Sequence, residues 1–390
     1  MNIKKIKEVC DLRPQKREAK LKLSDEALVS FVPMNNLGIL SKNLNLYQEK
    51  KLKDVYKGYV YFAENDILLA KITPCFENGK LGIARNLKNG IGFGSSEYIV
   101  LRSKGEIDPE YLFYFLSQEK FRAEGRQVLS GAVGQQRVPN EFVENYLVPV
   151  PPIEEQKRIV EILDKAFEGI AQAEANTRRN LINARELFDS YIARVFSCKK
   201  DNWLETTLGD SCFFFNGKAH EKNIDKYGKF IVVNSKFISS NGSIEKRTNF
   251  DLFPLLINDI VMVMSDVPKG KALGKCYLIE QNNKYSLNQR ICAIRSNKFN
   301  SLFLYYQLNR NYYFLKFDNQ ENQTNLRKDD ILKCPLYLPP IDEQKEIASD
   351  LTQFKENGLV LETIYQRKLE AIAELKQSIL EKAFTGQLSQ

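Results

Sequence analysis

PPIEEQKRIVEIL, residues 151–163, returns 188 positions later as PPIDEQKEIASDL, residues 339–351, with eight of thirteen positions identical. Followed outward at the same offset, the similarity runs without a gap for forty-six residues, aligning Leu163 with Leu351, Leu181 with Leu369, Leu187 with Leu375 and Phe196 with Phe384. Each copy opens on a Pro-Pro pair that cannot lie inside a helix. Acidic residues follow, Glu154 and Glu155 in one copy, Asp342 and Glu343 in the other, where they face the positive end of a helix dipole. Thr177, Leu181, Ala184, Phe188, Tyr191 and Val195 recur at alternating steps of four and three, and Ile372, Leu375, Ile379 and Ala383 at steps of three, four and four. That spacing predicts a heptad seam on two long helices. At 1.5 Å per residue each would be roughly 60 Å long, too long for one small domain to cover. The chain order makes the pair antiparallel if the two helices pack together, with a globular body at each end.

The intervening segments repeat more faintly. ENDILLAKI (64–72) echoes INDIVMVMS (257–265), EYIVLR (97–102) echoes ICAIR (291–295), and DPEYLFYFL (108–116) echoes NSLFLYYQL (300–308). Alternating Val, Ile, Leu and Tyr predict short strands, and Pro109 after Asp108 predicts a helix start. Between these landmarks the two segments diverge, most of all over 13–58 and 213–258. The expected organisation is α+β: a mixed α/β domain over 1–150, a spacer helix over 151–198, a second domain of the same kind over 199–338, and a second spacer helix over 339–390.

A chain of 390 residues with 43% hydrophobic content is too apolar for disorder and long enough for two cores. No run approaches the roughly 20 apolar residues that span a bilayer, and the first residues do not resemble a signal peptide, so the expected location is cytoplasmic. The seven cysteines form no CxxC pair and are odd in number, which argues against a disulfide framework and against zinc. The net charge of +8 is uneven: +5 over 1–152, +1 over 153–200, +5 over 201–340 and −3 over 341–390. Two basic bodies on a near-neutral frame suit a polyanion.

Catalytic signatures are missing. Both Pro-Pro pairs are followed by Ile rather than by the aromatic residue of an adenine methyltransferase, and there is no GxxxxGK[ST] loop. GIGFGSS (90–96) leads into a strand and reads as a turn between strands. Glu77 near Lys80 lacks a second carboxylate at nuclease spacing, and His220 is the sole histidine.

Taken over its whole length, the sequence resembles the specificity subunits of type I restriction-modification systems. The stretches that carry the resemblance are ITPCFENGKLGIA (72–84), GFGSSEYIVLR (92–102), GAVGQQRVPNEFVENYLVPVPPIEEQ (131–156), WLETTLGD (203–210), NQTNLRKDDILKCPLYLPPIDEQ (322–344) and ILEKAFTGQL (379–388). The tandem order of domain, helix, domain, helix is the most specific of these features. The resemblance implies a non-catalytic DNA-reading subunit, with one target-recognition domain for each half of a split, asymmetric site. It implies double-stranded DNA, two methyltransferase subunits and a nuclease/translocase subunit as partners. No cofactor is implied on this chain; S-adenosylmethionine, ATP and Mg belong to the partner subunits.

Reading base edges takes Arg, Lys, Asn and Gln on loops, and anchoring phosphates takes Lys, Arg, Ser and backbone N–H groups. The first domain offers Lys71, Thr73, Asn78 and Lys80, then Gln135, Gln136 and Arg137. The second offers Ser265, Lys269 and Lys271, then Asn288, Gln289 and Arg290, then Gln323, Asn325 and Arg327. Gln135 and Gln323 align across the repeat and so also suit a shared scaffold role. The aromatic CFFFNG run starting at Cys212 reads as core rather than a stacking platform. Two alternatives stand beside this reading: a coiled-coil scaffold whose basic lobes bind proteins and no DNA, and the specificity subunit of a related system with a fused methyltransferase-nuclease partner.

Overall fold

The computed structural model describes residues 2–45, 48–132, 134–198 and 200–387, and divides into two compact units, Met1–Arg178 with Gln366–Gln390, and Arg179–Tyr365. The long helices run over Ile153–Ser197 and Ile341–Phe384. Each unit therefore contains a globular body and a portion of both helices.

Built separately, the two units follow one plan. In the first, Ile3–Lys5 pairs antiparallel with Leu147–Pro149, closing the body where the helix begins. An antiparallel sheet runs in the order Cys10–Asp11, Tyr98–Ser103, Ile67–Ala70, Leu81–Ile83. A mixed sheet runs Gln48–Lys51, Leu28–Val32, Ile91–Gly94, Val60–Ala63, with Leu28–Val32 parallel to Ile91–Gly94. In the second unit Leu204–Thr207 pairs with Pro335–Leu338. Its antiparallel sheet runs Phe213–Asn216, Ile291–Arg295, Ile260–Val263, Cys276–Leu278, and its mixed sheet Arg247–Thr248, Phe230–Val233, Tyr285–Leu287. The parallel pair recurs there between Phe230–Val233 and Tyr285–Leu287.

The short sequence echoes have a common physical cause. Asn65 and Asn258 take φ of 67° and 71°, a left-handed turn that asparagine tolerates better than most residues. The turn buries the next residue, Asp66 or Asp259, each 1% exposed. Arg102 closes a two-pronged pair on Asp66 at 2.8 and 2.7 Å, and Arg295 does the same on Asp259 at 2.6 and 2.7 Å. Each Asp also accepts a backbone N–H, from Ala63 or Leu256, at 2.7 and 2.8 Å. The second echo is a helix start: Asp108 accepts from the Glu110 and Tyr111 N–H groups, and Asn300 from that of Phe303.

The duplicated motif itself fastens helix to body. Gln156 and Gln344 are fully buried. The Gln156 amide nitrogen donates to the Pro151 and Glu106 carbonyls at 2.8 and 2.9 Å, and its oxygen accepts from Asp108 N at 2.8 Å. Gln344 donates to the Pro339 carbonyl at 2.8 Å and accepts from Asn300 N at 2.7 Å. One side chain thus ties the Pro-Pro stop to the start of the body helix.

The helices pack antiparallel inside each unit. In the first, Lys376 pairs with Glu174 at 3.2 Å, and Leu380, Ala383 and Phe384 join Ile159, Val160 and Leu163 in one core. In the second, Tyr191 stacks on Phe354 with ring centroids 4.4 Å apart, and Arg185 pairs with Glu362 at 3.0 Å. The predicted seam holds for Thr177, Ala184, Ile372 and Ala383, which are buried, and for Leu181, Phe188, Tyr191, Val195 and Ile379, which are partly so. Leu375 departs from it at 49% exposed. Steps of about 100° per residue put the buried face around Lys376, Leu380 and Ala383, leaving Leu375 on its flank.

Two other readings change. GIGFGSS is not a turn: Ile91–Gly94 is an inner strand of the mixed sheet, paired with Leu28–Val32 on one side and Val60–Ala63 on the other, and Gly92 stands where a Cβ would lie 2.1 Å from the Phe62 ring. The Phe213–Asn216 strand turns Phe214 and Phe215 toward the cores but leaves Phe213 57% exposed. No helix of the described residues is long and apolar enough to cross a membrane.

Candidate nucleic-acid interface

In the first unit the two nominated loops lie side by side. Thr73 N and Oγ1 both donate to the Gln136 carbonyl, at 2.9 and 3.3 Å, and Ile72 and Ser130 bridge to Arg137. This brings Lys71, Thr73, Gln135, Gln136 and Arg137 together. Several of these groups are already engaged. Arg137 forks onto Glu97 at 2.9 and 2.8 Å and also donates to the Gln135 carbonyl, and the Lys80 ammonium donates to the Met34 carbonyl at 2.7 Å. Hydrogen bonding to Arg137 holds the Glu97 carboxyl below its usual range. Asn78 and Gln135 present exposed side chains.

The second unit repeats the stitching with different side chains. Ser265–Asp266 pairs with Thr324–Asn325, and the Gln323 amide donates to Ser265 Oγ at 3.0 Å and to Asn325 Oδ1 at 3.3 Å. Ser265 is buried, whereas Gln323, Asn325 and Arg327 are exposed. The loop after Asp266 is wound around that residue's carboxylate, which accepts from Val267, Ala272 and Leu273 N–H at 2.9, 2.6 and 3.1 Å. This presents Lys269 and Lys271 outward, Lys269 with φ of 58°.

Asn288, Gln289 and Arg290, joined to this stitching where Met264 N donates to the Arg290 carbonyl at 3.0 Å, line a concavity of about 340 Å³ with Asn234, Ser235, Lys236 and Lys246. The lone histidine lines an adjacent cavity that shares Asn234, Lys246 and Asn288 with it. His220 is fully buried; Nδ1 lies 2.7 Å from the Lys218 carbonyl and Nε2 2.8 Å from Ser286 Oγ, and its backbone N–H donates to Asn288 Oδ1 at 3.2 Å. Because a carbonyl can only accept, Nδ1 donates to that of Lys218. The imidazole anchors His220, whose backbone N–H holds Asn288. Gly217 completes the arrangement, since a Cβ there would lie 2.1 Å from the Asn288 carbonyl.

Lys236 and Lys246 were missed from sequence. They fall in the divergent 213–258 stretch, where no echo marks them, although Asn234 before SKFIS has the composition of a helix cap and accepts from Phe237 N at 3.0 Å. Among the described residues no group of three or more His, Cys, Asp or Glu side chains could hold a metal ion.

The fold and these surfaces define a class: two units of one plan, each a mixed α/β body with antiparallel helix segments and with basic and amide side chains on loops. The family model for the type I restriction modification DNA specificity domain matches residues 1–184 and again 200–371, so the chain belongs to that family. It is 36% identical over 185 residues to the type I restriction enzyme EcoAI specificity subunit of Escherichia coli, a match that takes in 46% of this chain and 31% of the relative. It is 23% identical over 368 residues to the putative MjaX specificity subunit of Methanocaldococcus jannaschii, covering 88% of this chain and 83% of that one. Among solved structures, a chain from work on complex assembly and conformational transition of the type I R-M system shares the fold with a TM-score of 0.82 at 18% identity, covering 99% of this chain and 98% of that one.

Proposed function

We propose that this chain reads a bipartite, asymmetric DNA site, one unit per half-site, and docks two methyltransferase subunits together with, for restriction, a translocating nuclease subunit. The observation that carries the proposal is the pairing of a shared framework with unlike surfaces. The buried Asp–Arg and Gln fastenings recur in both units, while the exposed loops around them differ, as two different half-sites require. The apolar residues left in water on the second unit's helix segments, Ile182, Leu187, Leu359, Val360 and Ile364, each at least half exposed, support a protein partner there. S-adenosylmethionine, ATP and Mg belong on those partners in this reading, and the assembly works in the cytoplasm.

The test is duplex binding by the full-length protein across salt concentrations. Contacts to six or more phosphates give a fall of about a thousandfold between roughly 50 and 200 mM salt. A shallow dependence would favour the protein scaffold without DNA specificity, and the masses of co-purifying subunits separate the fused methyltransferase-nuclease alternative.

A further inference from the structure

The backbone places Arg290 of the second unit where Glu97 stands in the first. Met264 N donates to the Arg290 carbonyl at 3.0 Å, as Lys71 N donates to the Glu97 carbonyl at 2.9 Å. The facing position is shared as well: Ile72 bridges to Arg137, and Ser265 pairs with Asn325. The chemistry at these two positions is inverted. In the first unit the carboxylate of Glu97 consumes the fork of Arg137, so neither is available to a ligand. In the second, the carboxylate is replaced by Arg290 and the arginine by Asn325, whose Oδ1 already accepts from Gln323.

Arg290 is exposed and lines the concavity between Lys236, Lys246 and Asn288, and its guanidinium has no hydrogen-bond or ion-pair partner among the described residues. Its backbone takes φ of 69°, a region costly for a residue with a long side chain and one that clusters at functional sites. A planar fork with no protein acceptor, beside a positioned amide and two lysines, matches the O6 and N7 acceptors of guanine in the major groove.

We propose that Arg290 reads a guanine in the half-site of the second unit, with Lys236 and Lys246 taking flanking phosphates, and that Arg137 reads no base in the half-site of the first. This rests on the DNA-reading function proposed above.

The experiment is selection of duplexes from a random library by the full-length protein, followed by sequencing, for wild type, Arg290→Gly, Arg290→Lys and Arg137→Ala. Glycine is at home at this φ, so Arg290→Gly removes the fork without straining the fold. Wild type should enrich a motif with a guanine that Arg290→Gly releases to any base, losing roughly tenfold to a hundredfold in discrimination at that position alone. Arg290→Lys should recover only part of it, because a point charge cannot fork. Arg137→Ala should leave every preferred base unchanged. Wild type and Arg290→Gly enriching the same motif with equal discrimination would overturn the assignment while leaving DNA reading intact. Enrichment of no motif by wild type, together with salt-insensitive binding, would overturn the DNA-reading proposal and this one with it.

Discussion

Gln156→Leu is expected to lose about 3–5 kcal/mol of unfolding free energy, measured by urea denaturation, because three polar groups lose their partner at one buried point. The Asp108 N–H and the Pro151 and Glu106 carbonyls all bond to this amide. Leucine nearly matches the glutamine in volume, so the loss reports hydrogen bonding rather than a cavity. Gln344→Leu breaks two bonds, to Pro339 and Asn300, and should cost about 2–3 kcal/mol. Since Trp203 is the sole tryptophan and lies in the second unit, its fluorescence should follow the Gln344 variant directly. Hydrogen exchange at the Asp108 amide should accelerate in the Gln156 variant. Equal and small losses for both, below about 1 kcal/mol, would show that the duplicated motif does not fasten helix to body.

Arg102→Met is expected to cost about 3–5 kcal/mol, because removing one partner of a buried pair strands the other charge. Asp66 would keep only the N–H of Ala63. Arg102 also donates to Glu18 at 2.7 Å, tying the Arg17–Lys22 helix to the sheet, so its loss should exceed that of Arg295→Met in the second unit. A double variant, Arg102→Met with Asp66→Leu, should recover a large part of the loss, since an apolar pair leaves no buried charge. Thermal unfolding of the four proteins separates these cases: an Arg102→Met protein as stable as wild type would contradict the pairing.

The architecture was legible because it is written twice. An ungapped repeat of forty-six residues predicts two long helices, and the structure places them at Ile153–Ser197 and Ile341–Phe384. The echoes ENDIL/INDIV and YIVLR/ICAIR marked the scaffold but not its chemistry, because the aspartate and its arginine stand 36 residues apart and meet only through sheet register. The same limit governs the interface. Arg137 reads as a free base-contacting group until the strands bring Glu97 against it from 40 residues away, and Lys80 reads as a phosphate anchor until its ammonium folds back on Met34. Asn288, Gln289 and Arg290 were nominated together, yet their two neighbouring lysines, Lys236 and Lys246, come from the stretch where the units share least. Divergence is the expected signature of a surface that differs in what it binds, and it removes the internal comparison by which the scaffold was read.

The central claim is that two bodies of one fold read two different half-sites. Its most direct test is to map methylated bases in the genome of cells that express the full chain with its partner methyltransferase subunits, beside cells that lack the chain. The expected result is a single motif with two unlike specified halves separated by a fixed run of unspecified bases, present only when the chain is present. A palindromic or uninterrupted motif, or methylation that does not depend on the chain, would contradict it.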